Sequence, residues 1–161
     1  MQSLNGKTIL VAGGAGYLGV PLCQILASQG ANIFIADTDA DKLQRAVQRV
    51  QSDTPGANVM GQILDIGDEG SITDGIQACA DHFGGLYGLV NATSGASGKE
   101  LEDVTALDFD RANRLNLTGP FLLAREAAKC MTGGGSIVMY ASMFGLVSPN
   151  RANYPSGVTR N

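Results

Sequence analysis

Asp37, Asp65, Asn91 and Ser142 each close a short apolar, β-rich run, and a glycine-rich segment, Ala12-Gly13-Gly14-Ala15-Gly16-Tyr17-Leu18-Gly19, closes another. A glycine turn leading into a helix lets the main chain approach a pyrophosphate. The helix start there offers unpaired N–H groups and the positive end of its dipole. Gly13, Ala15, Gly16, Tyr17, Leu18 and Gly19 are therefore candidate phosphate-binding positions. Asp37 lies 18 residues beyond Gly19. A carboxylate at that point can accept both hydroxyls of an adenosine ribose and would repel a 2′-phosphate. No Arg or Lys follows it at once or sits in the glycine segment, which favours NAD over NADP as the cofactor. An ordinary helix cap is the other reading of Asp37.

Asp65-Ile66 could flank an adenine ring, with the carboxylate near the exocyclic amine and the isoleucine against the ring face; a helix cap is again the alternative. Asn91 could tie neighbouring strand ends together and line the same cleft, or be a plain turn asparagine. Ser142 ends a strand read as buried, Ser136–Ala141, and would deliver a hydroxyl to the cleft, although a lone serine there is usually a cap. In Asn116-Leu117-Thr118-Gly119-Pro120, Pro120 has no N–H, so the carbonyl of Asn116 loses its helical partner. The Gly119-Pro120 pair should kink the helix. A freed carbonyl beside a cleft can hold a water; a helix bent for packing alone is the alternative.

The elements that must position these groups alternate along the whole chain. Strands are expected at Lys7–Ala12, Asn32–Ala36, Asn58–Leu64, Leu86–Val90 and Ser136–Ala141. Helices are expected at Gly16–Gln29, from Thr38 or Asp39 to about Ser52, from Asp68 or Ser71 to Gly84, and over Leu107–Met131, with Ser97–Val104 as loop. Apolar strands joined by helical crossovers predict an α/β fold, a doubly wound parallel sheet of five strands in the order 3-2-1-4-5. In such sheets ligands bind outside the carboxyl ends of the strands, which is where the polar residues gather. No repeat or linker divides residues 1–161, so one domain is expected.

Composition limits the partners. The chain has 161 residues and a net charge of −4, with no basic block, which argues against nucleic acid. No apolar run reaches the roughly 18 residues that span a membrane, and the first residues lack an apolar signal region. Cys23, Cys79 and Cys130 are far apart and read as reduced cysteines of a cytoplasmic protein. A metal site would want histidine partners, and His82 is the only histidine, so no metal is expected.

Taken together, these segments resemble the short-chain dehydrogenase/reductase family along essentially the whole chain. The glycine turn is similar to the family's TGxxxGxG, with Ala12 in place of the threonine and a Gly13/Gly16/Gly19 spacing nearer to epimerase-like members. Asp65 matches the acidic residue after strand three. Leu89-Val90-Asn91-Ala92-Thr93 resembles LVNNAG, which adds Ala92 and Thr93 to the cofactor-binding set. Asn116–Gly119 matches NxxG, whose asparagine carbonyl holds a proton-relay water, and Gly135–Ser142 resembles the strand whose last serine polarises the substrate carbonyl. The resemblance implies a Rossmann fold and hydride transfer between a nicotinamide cofactor and a small-molecule alcohol or carbonyl substrate. It also implies homo-oligomers, often tetramers built through the long helix, in the full-length form.

One departure is sharp. The family's general acid/base is a tyrosine whose pKa a lysine four residues later lowers; an unperturbed tyrosine, near pKa 10, is a poor base at neutral pH. Tyr154 lies 12 residues after Ser142, but Val158 stands where the lysine would be. Either Tyr154 is the catalytic position of a member without its lysine, or Phe144–Asn161 is a lengthened loop and the Tyr-Lys pair lies beyond it. The second reading makes the chain a cofactor half, truncated before the last part of the family fold and inactive by itself. A dinucleotide-binding protein without turnover, and a nucleotide-sugar epimerase or dehydratase, are the competing functions.

Overall fold

Ile9 and Val11 pack on one face of the first strand and Leu10 and Ala12 on the other, as the period of two along a strand requires. All four are buried, which is why the run is apolar without alternation. In this computed structural model, residues 4–147 and residue 150 are described; Tyr154 lies outside them. The strands are β1 (Thr8–Ala12), β2 (Asn32–Asp37), β3 (Val59–Ile63), β4 (Gly88–Asn91) and β5 (Ser136–Met139). They form one parallel sheet in the order β3-β2-β1-β4-β5, the order expected from the sequence.

Two helices cover each face. Cys23 and Ala27 of α1 (Gly19–Ser28) and Leu43, Ala46 and Val50 of α2 (Ala40–Asp53) pack on Ile9, Val11, Ile33 and Ile35. On the opposite face, Ile72, Ile76 and Cys79 of α3 (Glu69–Phe83) and Leu122, Leu123 and Ala127 of α5 (Gly119–Cys130) pack on Leu10, Phe34 and Leu89. Fully buried side chains such as Phe34, Leu10 and Ile33 each contribute on the order of 2 kcal/mol of transfer free energy.

Caps settle the helix starts left open by the sequence. Asp39 accepts from the Lys42 N–H at 2.9 Å and caps α2. Asp68 accepts from the Ser71 N–H at 2.6 Å and caps α3. Neither Asp37 nor Asp65 is therefore a helix cap. Helix α4 (Ala106–Asn113) begins with a capping box, Thr105 and Asp108. The loop before it contains one short 3₁₀ turn, Leu101–Asp103.

Two expectations are corrected. The long helix is not simply kinked: between α4 and α5 it widens into a π turn over Arg114–Thr118, where the Gly119 N–H reaches back to the Arg114 carbonyl. Pro120, in the first turn of α5, cannot donate to the Asn116 carbonyl, so the ordinary ladder cannot continue there. The fifth strand is not buried either. It is shorter than expected, ends at Met139, and all its residues are exposed: it is an edge strand, and unlike the other edge strand β3, against which α2 packs, its main contacts among the described residues are with β4.

Gly119 fixes the π turn against the sheet. A Cβ there would overlap the carbonyl oxygen of Ile66, a main-chain atom that cannot step aside. Gly119→Ala should lower stability by about 1–3 kcal/mol, the cost of overpacking, read as a drop in the urea midpoint. At α4, Lys99 (Nζ–Oδ2 2.6 Å) and the Thr105 hydroxyl hold the Asp108 carboxyl well below the usual carboxylate range. A folded-state pKa below the unfolded value adds stability above about pH 4 that is lost as pH falls further. The melting-temperature advantage of the natural chain over Asp108→Asn should therefore be flat from pH 5 to 8 and shrink below pH 4.

Candidate functional site

The glycine segment forms a turn between β1 and α1, and α1 starts at Gly19 rather than Gly16. Gly13 turns the chain at φ +74°. The N–H groups of Gly13 and Gly14 donate to the Ala36 carbonyl at 2.8 and 3.1 Å, which pins the turn to β2. At Gly19 a Cβ would overlap the Gly13 carbonyl and the Gly14 main chain, so only glycine lets α1 start this close to the turn. Unlike α2, α3 and α4, α1 has no side-chain cap: Leu18 stands at that position without a side-chain hydrogen bond, and the first turn holds no acid. In its first turn Pro21 has no N–H and the Val20 N–H donates to the Gly16 carbonyl at 3.1 Å, so the Gly19 N–H and the dipole end are what it offers an anion.

Asp37, at the end of β2, faces this turn. Its Oδ2 accepts from the Ala15 N–H at 3.2 Å, and its Oδ1 accepts from the N–H groups of Thr38 (2.9 Å) and Asp39 (3.3 Å). A carboxylate has about four lone-pair sites, so one site on Oδ2 is left for a ribose hydroxyl, not the two expected from the sequence.

The other strand ends close the site. After β4, Ala92 lies under Gly13, where a Cβ would come within 2.9 Å of its main chain. Asn91 is buried, and its Oδ1 accepts from the Thr93 N–H (3.3 Å) and hydroxyl (2.8 Å). The link from Asn91 to β5 runs through its main-chain carbonyl, which accepts from the Tyr140 N–H at 3.0 Å. After β3, Asp65 accepts from the Gly67 N–H at 2.8 Å, and Ile66 is buried. The Asn116 side chain clamps Gly95: Nδ2 donates to its carbonyl at 2.6 Å and Oδ1 accepts from its N–H at 2.9 Å. Arg114 Nε donates to the Gly67 carbonyl at 2.8 Å. The π turn thus holds the loops after both β3 and β4.

A cleft of about 720 Å³ opens where these loops meet. Gly13, Gly16, Tyr17, Leu18 and Gly19 form its floor, Asp37 and Thr38 one end, Asp65 and Ile66 a side, and Ala92, Thr93 and Ser94 the opposite wall. It lies between the ends of β1 and β4, where the strand order reverses. Of the expected residues, Ala15, Asn91, Asn116 and Ser142 do not line it. Ala15 and Asn91 bond neighbours that do, Asp37 and Thr93, whereas Asn116 clamps Gly95, which follows the lining residue Ser94 and does not line the cleft itself. Ser142 follows β5, where its hydroxyl accepts from the Phe144 N–H at 3.1 Å.

Lys42 and Arg111 line the cleft as well and were not singled out from the sequence. Lys42 sits in the first turn of α2, and its place in the register of that helix was the available signal. Cys23 lies beneath the glycine turn, its thiol aimed at the Gly14 carbonyl (3.9 Å). Burial pushes that thiol up to about 12, so Cys23 is a packing residue and not a nucleophile. Among the described residues no helix is long and apolar enough to cross a membrane.

A glycine turn and an acidic residue at the switch point of a parallel sheet define a doubly wound α/β protein of the dinucleotide-binding type. The chain belongs to the short-chain dehydrogenase family, whose model matches residues 7–157. It is 30% identical to levodione reductase of Leifsonia aquatica over 96% of its length and 62% of that protein's. It is 32% identical to D-threitol dehydrogenase of Mycolicibacterium smegmatis over 90% of its length and 56% of that protein's. Among solved structures it resembles NAD⁺-bound xylitol dehydrogenase, with a TM-score of 0.85 and 27% identity over 98% of this chain and 61% of the other. The chain thus spans between half and two thirds of the length of these relatives.

The Asn116 clamp gives a local test. Asn116→Ala removes both bonds to Gly95 on an exposed surface and should cost about 1 kcal/mol of global stability. Amide exchange at Gly95 should accelerate, while exchange in β1 and β2 keeps its protection.

Proposed function

We propose that this chain supplies the cofactor site of an oxidoreductase that moves a hydride between NAD(H) and a small-molecule alcohol or carbonyl compound. The observation that carries the reading is the cleft at the switch point, floored by an uncapped helix start and ended by Asp37. Gly13, Gly16, Tyr17, Leu18 and Gly19 would take the pyrophosphate, with Ala15 holding the turn to Asp37. Asp37 would take an adenosine ribose hydroxyl, and Asp65 and Ile66 the adenine. Ala92 and Thr93, set by Asn91, would face the nicotinamide half. The bound nicotinamide would supply the hydride acceptor or donor.

In this reading the chain's own groups orient and protonate. The Ser142 hydroxyl, which accepts from the Phe144 N–H, keeps its proton to donate to a substrate oxygen. The Asn116 carbonyl, which Pro120 cannot bond, would hold a water. Tyr154 would be the acid/base if it reaches the site. The family relationship supports NAD(P) binding, a cytoplasmic setting and homo-oligomers of the longer form. One feature favours binding without turnover by these residues: the position four after Tyr154 is Val158, which cannot lower a tyrosine pKa.

Calorimetric titration tests the reading. NAD should bind more tightly than NADP, and Asp37→Asn should weaken NAD about tenfold, the loss of a hydrogen bond to a charged group. Absence of NAD binding, or tighter binding of NADP to the natural chain, would sink it.

A further inference from the structure

Cys79 and Cys130 sit on neighbouring helices in one apolar cluster. Cys79 belongs to the buried set on the α3–α5 face of the sheet, and Cys130, the last residue of α5, packs against that set. Cys23, the third cysteine, lies in the cluster on the opposite face, so the sheet itself separates it from the other two. All three are free thiols. The Arg125–Glu69 ion pair, at 2.6 Å, ties α5 to α3. Burial, and after it the nearby Cys130, push the Cys79 thiol up to about 12.

The two thiols differ in access. Cys79 is fully buried, whereas Cys130 is half-buried and lines a cavity of about 250 Å³. This cavity lies at the amino ends of the strands, away from the cleft: Thr8 starts β1, and Tyr87 and Gly134 precede β4 and β5. Phe83, one turn beyond Cys79 on α3, and Gly84, which ends that helix, line it as well. A small oxidant can thus reach Cys130 from the cavity, while Cys79 can be reached only from within the cluster. An accessible thiol with a second one behind it is the arrangement that lets the first be attacked and the second resolve it.

We propose that Cys79 and Cys130 form a redox-sensitive pair, which a low-molecular-weight disulfide converts into an intramolecular disulfide joining α3 to α5. The Cys130 thiolate attacks one sulfur of the reagent. A bond forms to Cys130, the reagent's S–S bond breaks, and one thiolate leaves and takes up the proton that Cys130 lost. Cys79 then gives up its proton and attacks the Cys130 sulfur, which expels the second half of the reagent as a thiol. The two protein thiols are oxidised and one disulfide is reduced to two thiols; an excess of thiol reverses both steps. The bond fastens the far ends of two helices whose near ends serve the cleft, since α3 follows the Asp65–Gly67 loop and α5 continues from the π turn. In a reducing compartment such a bond is transient.

The test incubates the folded 161-residue chain with oxidised glutathione, quenches it in acid, alkylates the remaining thiols and maps the peptides by mass spectrometry. The expected product has lost two of its three thiols, carries no glutathione and yields one linked pair, Cys79 with Cys130, with Cys23 alkylated. Cys79→Ala should stop after the first step, with one glutathione on Cys130, and Cys130→Ala should take up none. A glutathione that stays on Cys130 of the natural chain, a link that includes Cys23 or joins two chains, or three thiols that remain free would overturn the pair. The map of the natural chain decides by itself, even where a variant fails to fold.

Discussion

The Asp37 carboxylate holds the site together by spending most of its capacity on the main chain. Its bond to the Ala15 N–H joins β2 to the glycine turn, while the Ala36 carbonyl next to it takes the N–H groups of Gly13 and Gly14. Two adjacent β2 residues therefore fix the turn that leads to α1. If that turn moved, the close approach at Gly19 would fail and the helix start would leave the cleft. The same three hydrogen bonds compensate the charge of the carboxylate. An aspartate at this position is thus a part of the scaffold that still lines the cleft.

The opposite wall depends on a helix that departs from its own ladder. The π turn brings Arg114 to Gly67 and Asn116 to Gly95, and Gly119 against the Ile66 carbonyl. Three consecutive chemical types, a cation, an amide and a residue without a side chain, each meet main-chain atoms of the loops after β3 and β4. An unbroken α-helix would present these positions at different angles, so the irregular winding is what lets one helix hold two loops. The polar side chains are used as braces here, and the cleft surface is left to Leu115, Thr93 and Ser94.

Much of this was legible in the sequence because it follows from periodicity and caps. Apolar runs of strand length separated by helical stretches fix a parallel order, and the strand ends then collect by topology alone. Asp37, Asp65 and the glycine turn were placed correctly on the cleft for that reason. Three features were not legible. The π turn depends on where Gly119 must sit against Ile66, a tertiary contact, although Pro120 marked the spot. The edge position of β5 follows from the expected order 3-2-1-4-5, but the exposure of all four of its residues was not legible, because it depends on what packs against the strand. The place of Lys42 on the cleft escaped notice because its segment reads as an ordinary helix, and only the fold brings its first turn to the glycine turn.

The groups proposed for binding and for chemistry are held to different standards. Where Asp37 and Asp65 line the cleft, the groups the sequence singled out are anchored: Asp37 by three N–H donors, Asp65 by Gly67, the turn by Ala36. Anchoring of this kind lowers the entropy lost when a ligand arrives. Ser142, which does not line the cleft, follows an exposed edge strand, and among the described residues its hydroxyl accepts from the nearby Phe144 N–H. A hydroxyl on an edge strand is held less firmly than a carboxylate wedged between loops, and catalysis tolerates little misplacement. The proposed cofactor binding rests on the anchored groups alone, whereas the proposed proton transfer needs the Ser142 hydroxyl held as firmly. The described residues therefore support the binding part of the proposal more fully than its chemistry.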